Sequence, residues 1–136
     1  GAMPPRALHA GCGTSALGAV LSAFGWSVTN SDFCEEALDL LAGSHALGLL
    51  GVPGGPARAK GPCEYVQCDA LRPPAEWRSC FDVVVEKGLA DTLLFGAQRA
   101  GALEQVERYA AAVEAVLRPG GTLLQVSDAP IALRRE

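Results

Sequence analysis

The sequence predicts an α/β fold, a Rossmann-like parallel sheet with helices on both of its faces. A glycine turn, Gly11–Gly13, follows a short apolar run and precedes a helix-like segment. Strand-like and helix-like segments then alternate along the chain, as in parallel sheets. The unbroken run Val83–Val85 predicts a strand buried on both faces of such a sheet. Because crossovers between parallel strands are right-handed, we expect the strand order 3-2-1-4-5.

The first half of the chain divides into two strand–helix units. The predicted elements are a strand over Arg6–Ala10, a helix over Thr14–Phe24, a strand over Trp26–Ser31 and a helix over Cys34–Ala42. Gly25 ends the first helix, since glycine is common just beyond a helix C-terminus. Glu35 and Glu36 stand in the first turn of the second helix, where negative charge complements the helix dipole.

The second half opens with a segment rich in glycine and proline and then returns to the alternation. Its predicted elements are a loop over Ser44–Pro62, strands over Cys63–Cys68, Phe81–Val85 and Thr122–Val126, a short helix over Leu89–Phe95 and a long helix over Ala102–Leu117. Apolar side chains at helical spacing predict the buried face of the long helix: Leu103, Val106, Tyr109, Ala110, Val113 and Leu117. The turn Arg118–Gly121 ends that helix.

Length and composition favour a single globular domain. The chain has 136 residues, 49% of them hydrophobic, and a net charge of −4. No apolar run reaches the roughly 20 residues of a membrane span, and no basic stripe indicates nucleic acid. We expect an expression remnant over residues 1–3, one domain over residues 4–129 and a tail over residues 130–136.

The five cysteines are scattered and form no C-x-x-C pair. This usage favours reduced thiols in an intracellular protein, cytoplasmic or mitochondrial. No metal site is expected, because Cys63 and Cys68 point to opposite faces of their strand and only two histidines are available.

Polar or flexible residues follow every predicted strand: Gly11–Gly13, Asp32, Asp69, Glu86-Lys87 and Ser127-Asp128. The carboxyl ends of parallel strands meet at one edge of the sheet, where such folds bind ligands. Asp32 lies nineteen residues after Gly13, a spacing that suits a carboxylate holding a ribose diol. Taken singly, Asp32 or Asp69 is also explained as a helix or turn cap. Phe33 can lie on an adenine ring or in the core, and Asp69 can accept a hydrogen bond from the adenine amine.

The motifs at these strand ends resemble those of class I S-adenosylmethionine-dependent methyltransferases. The matching stretches are Gly-Cys-Gly-Thr-Ser-Ala-Leu at 11–17, Asp32-Phe33, Asp69-Ala70-Leu71, Phe81 to Gly88 and Leu117 to Thr122. The stretch from Glu86 to Asp91, Glu-Lys-Gly-x-x-Asp, is similar to the branch that contains the citrate synthase and elongation factor 1 alpha lysine methyltransferases. The resemblance covers nearly the whole chain from Arg6 to Asp128.

The resemblance implies S-adenosylmethionine as cofactor and a protein with an acceptor lysine as substrate. The residues implied to bind the cofactor are Gly11, Cys12, Gly13, Ser15, Asp32, Phe33, Asp69, Ala70, Glu86 and Lys87. A lysine acceptor must be neutral to attack, and a nearby carboxylate can take up its proton. Glu86 and Asp91 are the candidates for this catalytic role, although each is equally explained as a strand-end acid or a helix cap.

The sequence departs from the family pattern at two places, just before the glycine turn and after strand five. His9 stands two residues before the first motif glycine, where many members carry an acid; it is alternatively a buried core histidine, whereas His45 is expected to be exposed. The chain stops after strand five, without the usual strands six and seven. We expect the open edge Leu123–Val126 to be covered by self-association or by the tail after Pro130.

Two other functions fit parts of the sequence. The short chain is consistent with a weakly active or inactive methyltransferase-like module that binds the cofactor or a protein partner. The pattern Gly11-x-Gly13-x-x-Ala16 followed by Asp32 also fits a nicotinamide-dependent oxidoreductase. Three features argue against the oxidoreductase: Asp69, the Glu86-Lys87-Gly88 element and the absence of room for a substrate domain.

Overall fold

The computed structural model describes residues 3–50, 61–95 and 101–127. Its strands are β1 (Arg6–Ala10), β2 (Ser27–Asp32), β3 (Cys63–Gln67), β4 (Phe81–Lys87) and β5 (Leu117–Val126). Its α-helices are α1 (Leu17–Ala23), α2 (Glu35–Ala46), α3 (Leu89–Phe95) and α4 (Ala102–Val116), and Ala75–Trp77 form a single 3₁₀ turn. Predictions for the expression remnant (residues 1 and 2), for residues 51–60 and for Asp128 and the tail lie outside the described residues.

The five strands form one parallel sheet in the order β3-β2-β1-β4-β5. Leu8 is level with Thr29 of β2 and with Val84 of β4, so β1 is the central strand. Val84 and Val85 are buried, as the valine run predicts. The predicted fold class and strand order are confirmed.

The two faces of the sheet are covered by different helices. On one face, Leu8 and Val84 pack against Tyr109 and Val113 of α4 in the main core cluster. Because neighbouring residues of a strand point to opposite faces, His9 lies on the other face, where it meets Asn30. Gly18 of α1 packs against the same asparagine. Helices therefore cover both faces, as predicted.

A polar network joins three strands on the α1 face. His9 is 1% exposed, and its Nδ1 lies 3.0 Å from Asn30 Oδ1. The Asn30 amide donates to the Glu64 carbonyl at 3.1 Å and to Cys63 Sγ at 3.3 Å. The α1 backbone approaches so closely that a Cβ on Gly18 would overlap with Asn30 Oδ1. Burial lowers the pKa of His9, so the ring is neutral in this network at pH 7.

The buried face of α4 differs from the predicted one. Its buried residues are Ala102, Tyr109, Ala112, Val113 and Val116. Leu103 is 63% exposed and Ala110 is exposed, so the predictions for these two residues are wrong. Small alanines face the sheet in their place, which lets the helix lie close to it. Leu117 belongs to β5 rather than to the helix.

Several element boundaries also shift. Helix α1 begins at Leu17 instead of Thr14, because residues 14–16 continue the glycine turn. Helix α2 continues to Ala46, so the predicted loop starts later. His45, expected to be exposed, is half-buried in that helix, with Nδ1 2.6 Å from the Tyr65 hydroxyl oxygen. In β5 the regular ladder covers Thr122–Val126, as predicted, and is preceded by a register shift opposite Phe81 and Val83.

The outer edge of β5 has no strand beside it among residues 3–50, 61–95 and 101–127. Leu123 and Leu124 point to opposite faces and are 38% and 55% exposed, and Val126 is 48% exposed. No charged residue interrupts the stretch from Pro119 to Val126. Uncharged edges of this kind favour pairing with another strand.

We expect the chain to self-associate through this edge and Leu124→Lys to reduce the association, because an edge lysine opposes strand pairing. Sizing chromatography with light scattering over a range of protein concentrations measures this directly. Leu40→Lys is the matched control, since Leu40 is an equally exposed leucine on α2 (62%). A wild-type chain that is monomeric at every concentration contradicts the prediction.

Candidate functional site

An open pocket with a cavity volume of about 270 Å³ lies at the carboxyl edge of the sheet. Five of the predicted site residues line it together: Gly11, Asp32, Phe33, Asp69 and Ala70. They come from the segments that follow β1, β2 and β3.

The glycine turn after β1 needs the conformational freedom of glycine. Gly11 and Gly13 have φ of 60° and 51°, values that side-chain-bearing residues rarely adopt. A Cβ on Gly11 would also lie 3.2 Å from the Leu89 side chain, which packs over the turn. The turn is tied to β2 by the Cys12 N–H, which donates to the Ser31 carbonyl at 2.9 Å.

Asp32 is held in place by two backbone donors. The Gly13 N–H donates to Oδ2 at 2.7 Å, and the Cys34 N–H donates to Oδ1 at 2.8 Å. A carboxylate offers about four acceptor positions, so each oxygen can still accept a hydrogen bond from a ligand. Asp32 thus fixes the turn that leads into α2 and presents an oriented, half-buried carboxylate to the pocket.

Asp69 and Phe33 form the part of the pocket next to β2 and β3. Asp69 Oδ1 accepts the Leu71 N–H at 2.9 Å, which fixes this carboxylate as well. Phe33 is 75% exposed, so it is not the core aromatic that the sequence left open as an alternative. Its ring is available to cover a flat ligand at the pocket mouth.

The remaining lining residues escaped prediction: Cys68, Leu71, Leu89, Leu93 and Gln105. Leu89 and Leu93 are one turn apart on α3, and such leucines are normally core residues. Only Cys68 and Leu71 could have been inferred from the sequence, because they flank the predicted Asp69-Ala70 pair. Burial raises the pKa of the Cys68 thiol above its ordinary value, and the nearby Asp69 charge adds to the effect.

The other five predicted binding residues do not line the pocket: Cys12, Gly13, Ser15, Glu86 and Lys87. Cys12 is buried against Leu38 and Leu41, and burial, with a smaller effect of the Asp32 charge, raises its pKa to about 12. Ser15 Oγ accepts the Leu17 N–H at 3.3 Å at the start of α1. Lys87 is exposed at the end of β4. Any contact of Cys12 with a ligand therefore has to come from its backbone.

Glu86 lies behind the wall of the pocket. It is 1% exposed, and its Oε2 accepts the N–H of Leu89 at 2.8 Å. Its Oε1 is buried without a hydrogen-bond partner among the described residues, and so is the hydroxyl of Tyr109. Burial and the charge of Glu86 raise the pKa of Tyr109 well above its ordinary value. No arginine or lysine of the described segments forms an ion pair with Glu86.

Asp91 lies on the same short helix as the two leucines of the pocket wall. Its carboxylate accepts the hydroxyl of Ser127 at 2.5 and 2.6 Å. This contact joins α3 to the end of β5. His9, in contrast, points away from the wall, into the network with Asn30.

In the part of the chain that the structure describes, no group of three or more His, Cys, Asp and Glu side chains could hold a metal ion. All five cysteines are free thiols. None of the helices described has the length and apolar character needed to cross a membrane.

The fold and the pocket together define an α/β domain that binds a nucleoside-bearing cofactor. Comparison with protein families identifies a methyltransferase domain over residues 8–125. The chain belongs to this methyltransferase domain family. The match gives no support to the nicotinamide-dependent alternative. Comparison with functionally curated proteins gives no significant match.

Solved structures show the same fold. A SAM-dependent methyltransferase from Methanosarcina mazei is 24% identical, with a TM-score of 0.72 over 90% of this chain and 51% of that one. A TehB-like SAM-dependent methyltransferase from Corynebacterium glutamicum is 18% identical, with a TM-score of 0.63 over 92% and 55%. A structure described with the conversion of a disulfide bond into a thioacetal group during echinomycin biosynthesis is 27% identical, with a TM-score of 0.65 over 89% and 42%. The chain thus spans about half the length of these proteins.

S-adenosylmethionine is the cofactor that membership of the family implies, and the pocket fits it. Two fixed carboxylates, Asp32 and Asp69, can accept hydrogen bonds from ribose hydroxyls and an adenine amine. The glycine turn lets a ligand approach the backbone. Phe33 offers an exposed ring beside them.

We expect S-adenosylhomocysteine, the product form of the cofactor, to protect Cys68 from alkylation, because this half-buried thiol lines the pocket. Cys34 is the matched control, since it is exposed and does not line the pocket. Mass spectrometry of peptides after timed treatment with iodoacetamide gives both rates. Equal rates for Cys68 with and without bound ligand would place the ligand elsewhere.

Proposed function

We propose that this chain is the cofactor-binding part of an S-adenosylmethionine-dependent methyltransferase that acts on a lysine side chain of a protein. The convergence of Gly11, Asp32 and Asp69 on one pocket carries the methyltransferase part of the proposal. When bound, S-adenosylmethionine supplies a methyl group on a cationic sulfur. In the proposal Asp32 holds the ribose and Asp69 the adenine amine.

The lysine acceptor is supported by the segment Glu86 to Asp91. This segment runs from the end of β4 into α3, whose Leu89 and Leu93 line the pocket. The acids of the motif therefore stand at or behind one wall of the cofactor site. Acidic groups at this wall suit an acceptor that arrives as a cation and must lose a proton.

The proton of the acceptor amine sets the main chemical demand. A lysine with a pKa of about 10.4 costs roughly 4 kcal/mol to deprotonate near neutral pH. Asp91 is half-buried, and the Ser127 hydroxyl orients its carboxylate. Glu86 is buried, and its Oε2 already accepts a hydrogen bond from the Leu89 N–H. We therefore assign proton uptake to Asp91, while direct proton uptake by Glu86 stays a prediction.

Transfer of a labelled methyl group to candidate proteins, with mass spectrometry to locate it, tests the proposal. We expect label on a lysine and a loss of about 10²-fold or more in kcat for Asp91→Asn, with the affinity for S-adenosylhomocysteine unchanged. Thr92→Ala, a change of an exposed residue on the same helix, is the control. Label on another residue type would overturn the lysine part, and absence of cofactor binding would overturn the whole.

A module that binds the cofactor or a protein partner without turnover is the second candidate. It is favoured by the lining of the pocket, which includes neither Glu86 nor Asp91. Binding of S-adenosylhomocysteine without transfer to any acceptor would support it. An intracellular location belongs to either proposal and is supported by the five free thiols.

A further inference from the structure

Among the described residues, Glu86 is a buried carboxylate without a cationic partner. Only 1% of the residue is exposed, and its single hydrogen bond within the described residues comes from the Leu89 N–H at 2.8 Å. The ion pairs of these residues join Arg108 to Glu104 and Arg118 to Asp82, and neither pair includes Glu86. Buried charges in proteins are normally paired, so this carboxylate is suited to a positive charge supplied from outside the chain.

The pocket is next to this charge. Leu89, whose N–H binds the Glu86 carboxylate, lines the pocket with its side chain and packs over Gly11. The hydroxyl of Tyr109 is the other buried side-chain group without a hydrogen-bond partner among the described residues. Burial raises the pKa of Tyr109, and the charge of Glu86 adds to this effect. A cation bound in the pocket beside Leu89 would thus have the Glu86 carboxylate behind this wall, and a charge on a residue that is 1% exposed is screened less by water than a surface charge.

We propose that Glu86 is a specificity-determining residue that favours the positively charged cofactor over its uncharged-sulfur product. The inference rests on the proposed function, because it takes S-adenosylmethionine as the ligand. S-adenosylmethionine and S-adenosylhomocysteine differ by the methyl group and by the positive charge on sulfur. The negative charge of Glu86 stabilises bound S-adenosylmethionine and leaves bound S-adenosylhomocysteine unaffected. It therefore promotes exchange of the product for fresh cofactor.

Calorimetric titration of the full chain with both ligands tests the inference without any turnover. The quantity of interest is the ratio of the two dissociation constants. We expect Glu86→Gln to lower the preference for S-adenosylmethionine by about tenfold. Glutamine keeps an oxygen for the Leu89 N–H, so the wall of the pocket is preserved. The preference of the wild-type chain should persist at high salt, since a buried charge is poorly screened.

Glu104→Gln is the matched control. Glu104 lies beside the pocket residue Gln105, but its side chain is 66% exposed, so we expect the ratio to stay unchanged. An unchanged ratio in Glu86→Gln, or an equal loss of affinity for both ligands, would overturn the inference and leave the proposed function intact. A wild-type chain that binds neither ligand would overturn the proposed function itself.

Discussion

Replacing Asp32 by alanine is expected to lower the affinity for S-adenosylhomocysteine by at least about a hundredfold. Hydrogen bonds to a charged group contribute roughly 1.5–3 kcal/mol each, and a ribose diol offers two. The same substitution removes the acceptor of the Gly13 N–H, so the glycine turn loses its attachment to β2 on that side. Calorimetric titration measures the affinity, and circular dichroism checks that the fold is kept.

Asp39→Ala is the control for this prediction. Asp39 is an aspartate within α2, but it is exposed and does not line the pocket. We expect its substitution to leave the affinity unchanged. If Asp32→Ala binds the ligand as tightly as the wild-type chain, Asp32 does not belong to the site.

Replacing Gly18 by alanine is expected to destabilise the fold by about 3 kcal/mol. The added Cβ would overlap with Asn30 Oδ1, a group enclosed by the sheet and by α1. Either α1 moves away from the sheet or Asn30 gives up its bond with His9, and overpacking and a lost buried hydrogen bond each cost of the order of 1–3 kcal/mol. Thermal unfolding should show a fall in Tm of roughly 10 °C.

Gly43→Ala separates this effect from helix propensity. Gly43 lies inside α2, and a Cβ there would meet nothing within 4 Å. Alanine favours helix by about 0.8–1 kcal/mol over glycine, so this variant is expected to be more stable than wild type. The two glycine-to-alanine changes thus have opposite expected signs. A neutral or stabilising Gly18→Ala would show that the contact with Asn30 is not tight.

The sheet could be predicted because its signals are local. The glycine turn, the valine run and the polar strand ends each require a few neighbouring residues, and the order 3-2-1-4-5 follows from the handedness of crossovers. The carboxyl edge then brings Gly11, Asp32 and Asp69 together, and all three line the pocket. Strand ends are thus a strong guide to ligand sites in this fold.

Other features could not be predicted because they depend on contacts across the chain. Periodicity gives the spacing of the apolar stripe on α4, but it does not determine the rotation that buries Ala102 and exposes Leu103. Nothing in the sequence distinguishes a leucine that lines a pocket, such as Leu89, from one in the core. The burial of Glu86 could not be predicted either, because an acid at a strand end normally faces water.

The two backbone donors that hold Asp32 also bear on how a ligand enters. Because the protein itself fixes this carboxylate through Gly13 and Cys34, a ligand does not have to order it on binding. Pre-organisation of this kind removes part of the entropy lost on association. We therefore expect ligand entry to require little rearrangement of Asp32, and differences in affinity between related ligands to arise mainly in the rate of departure.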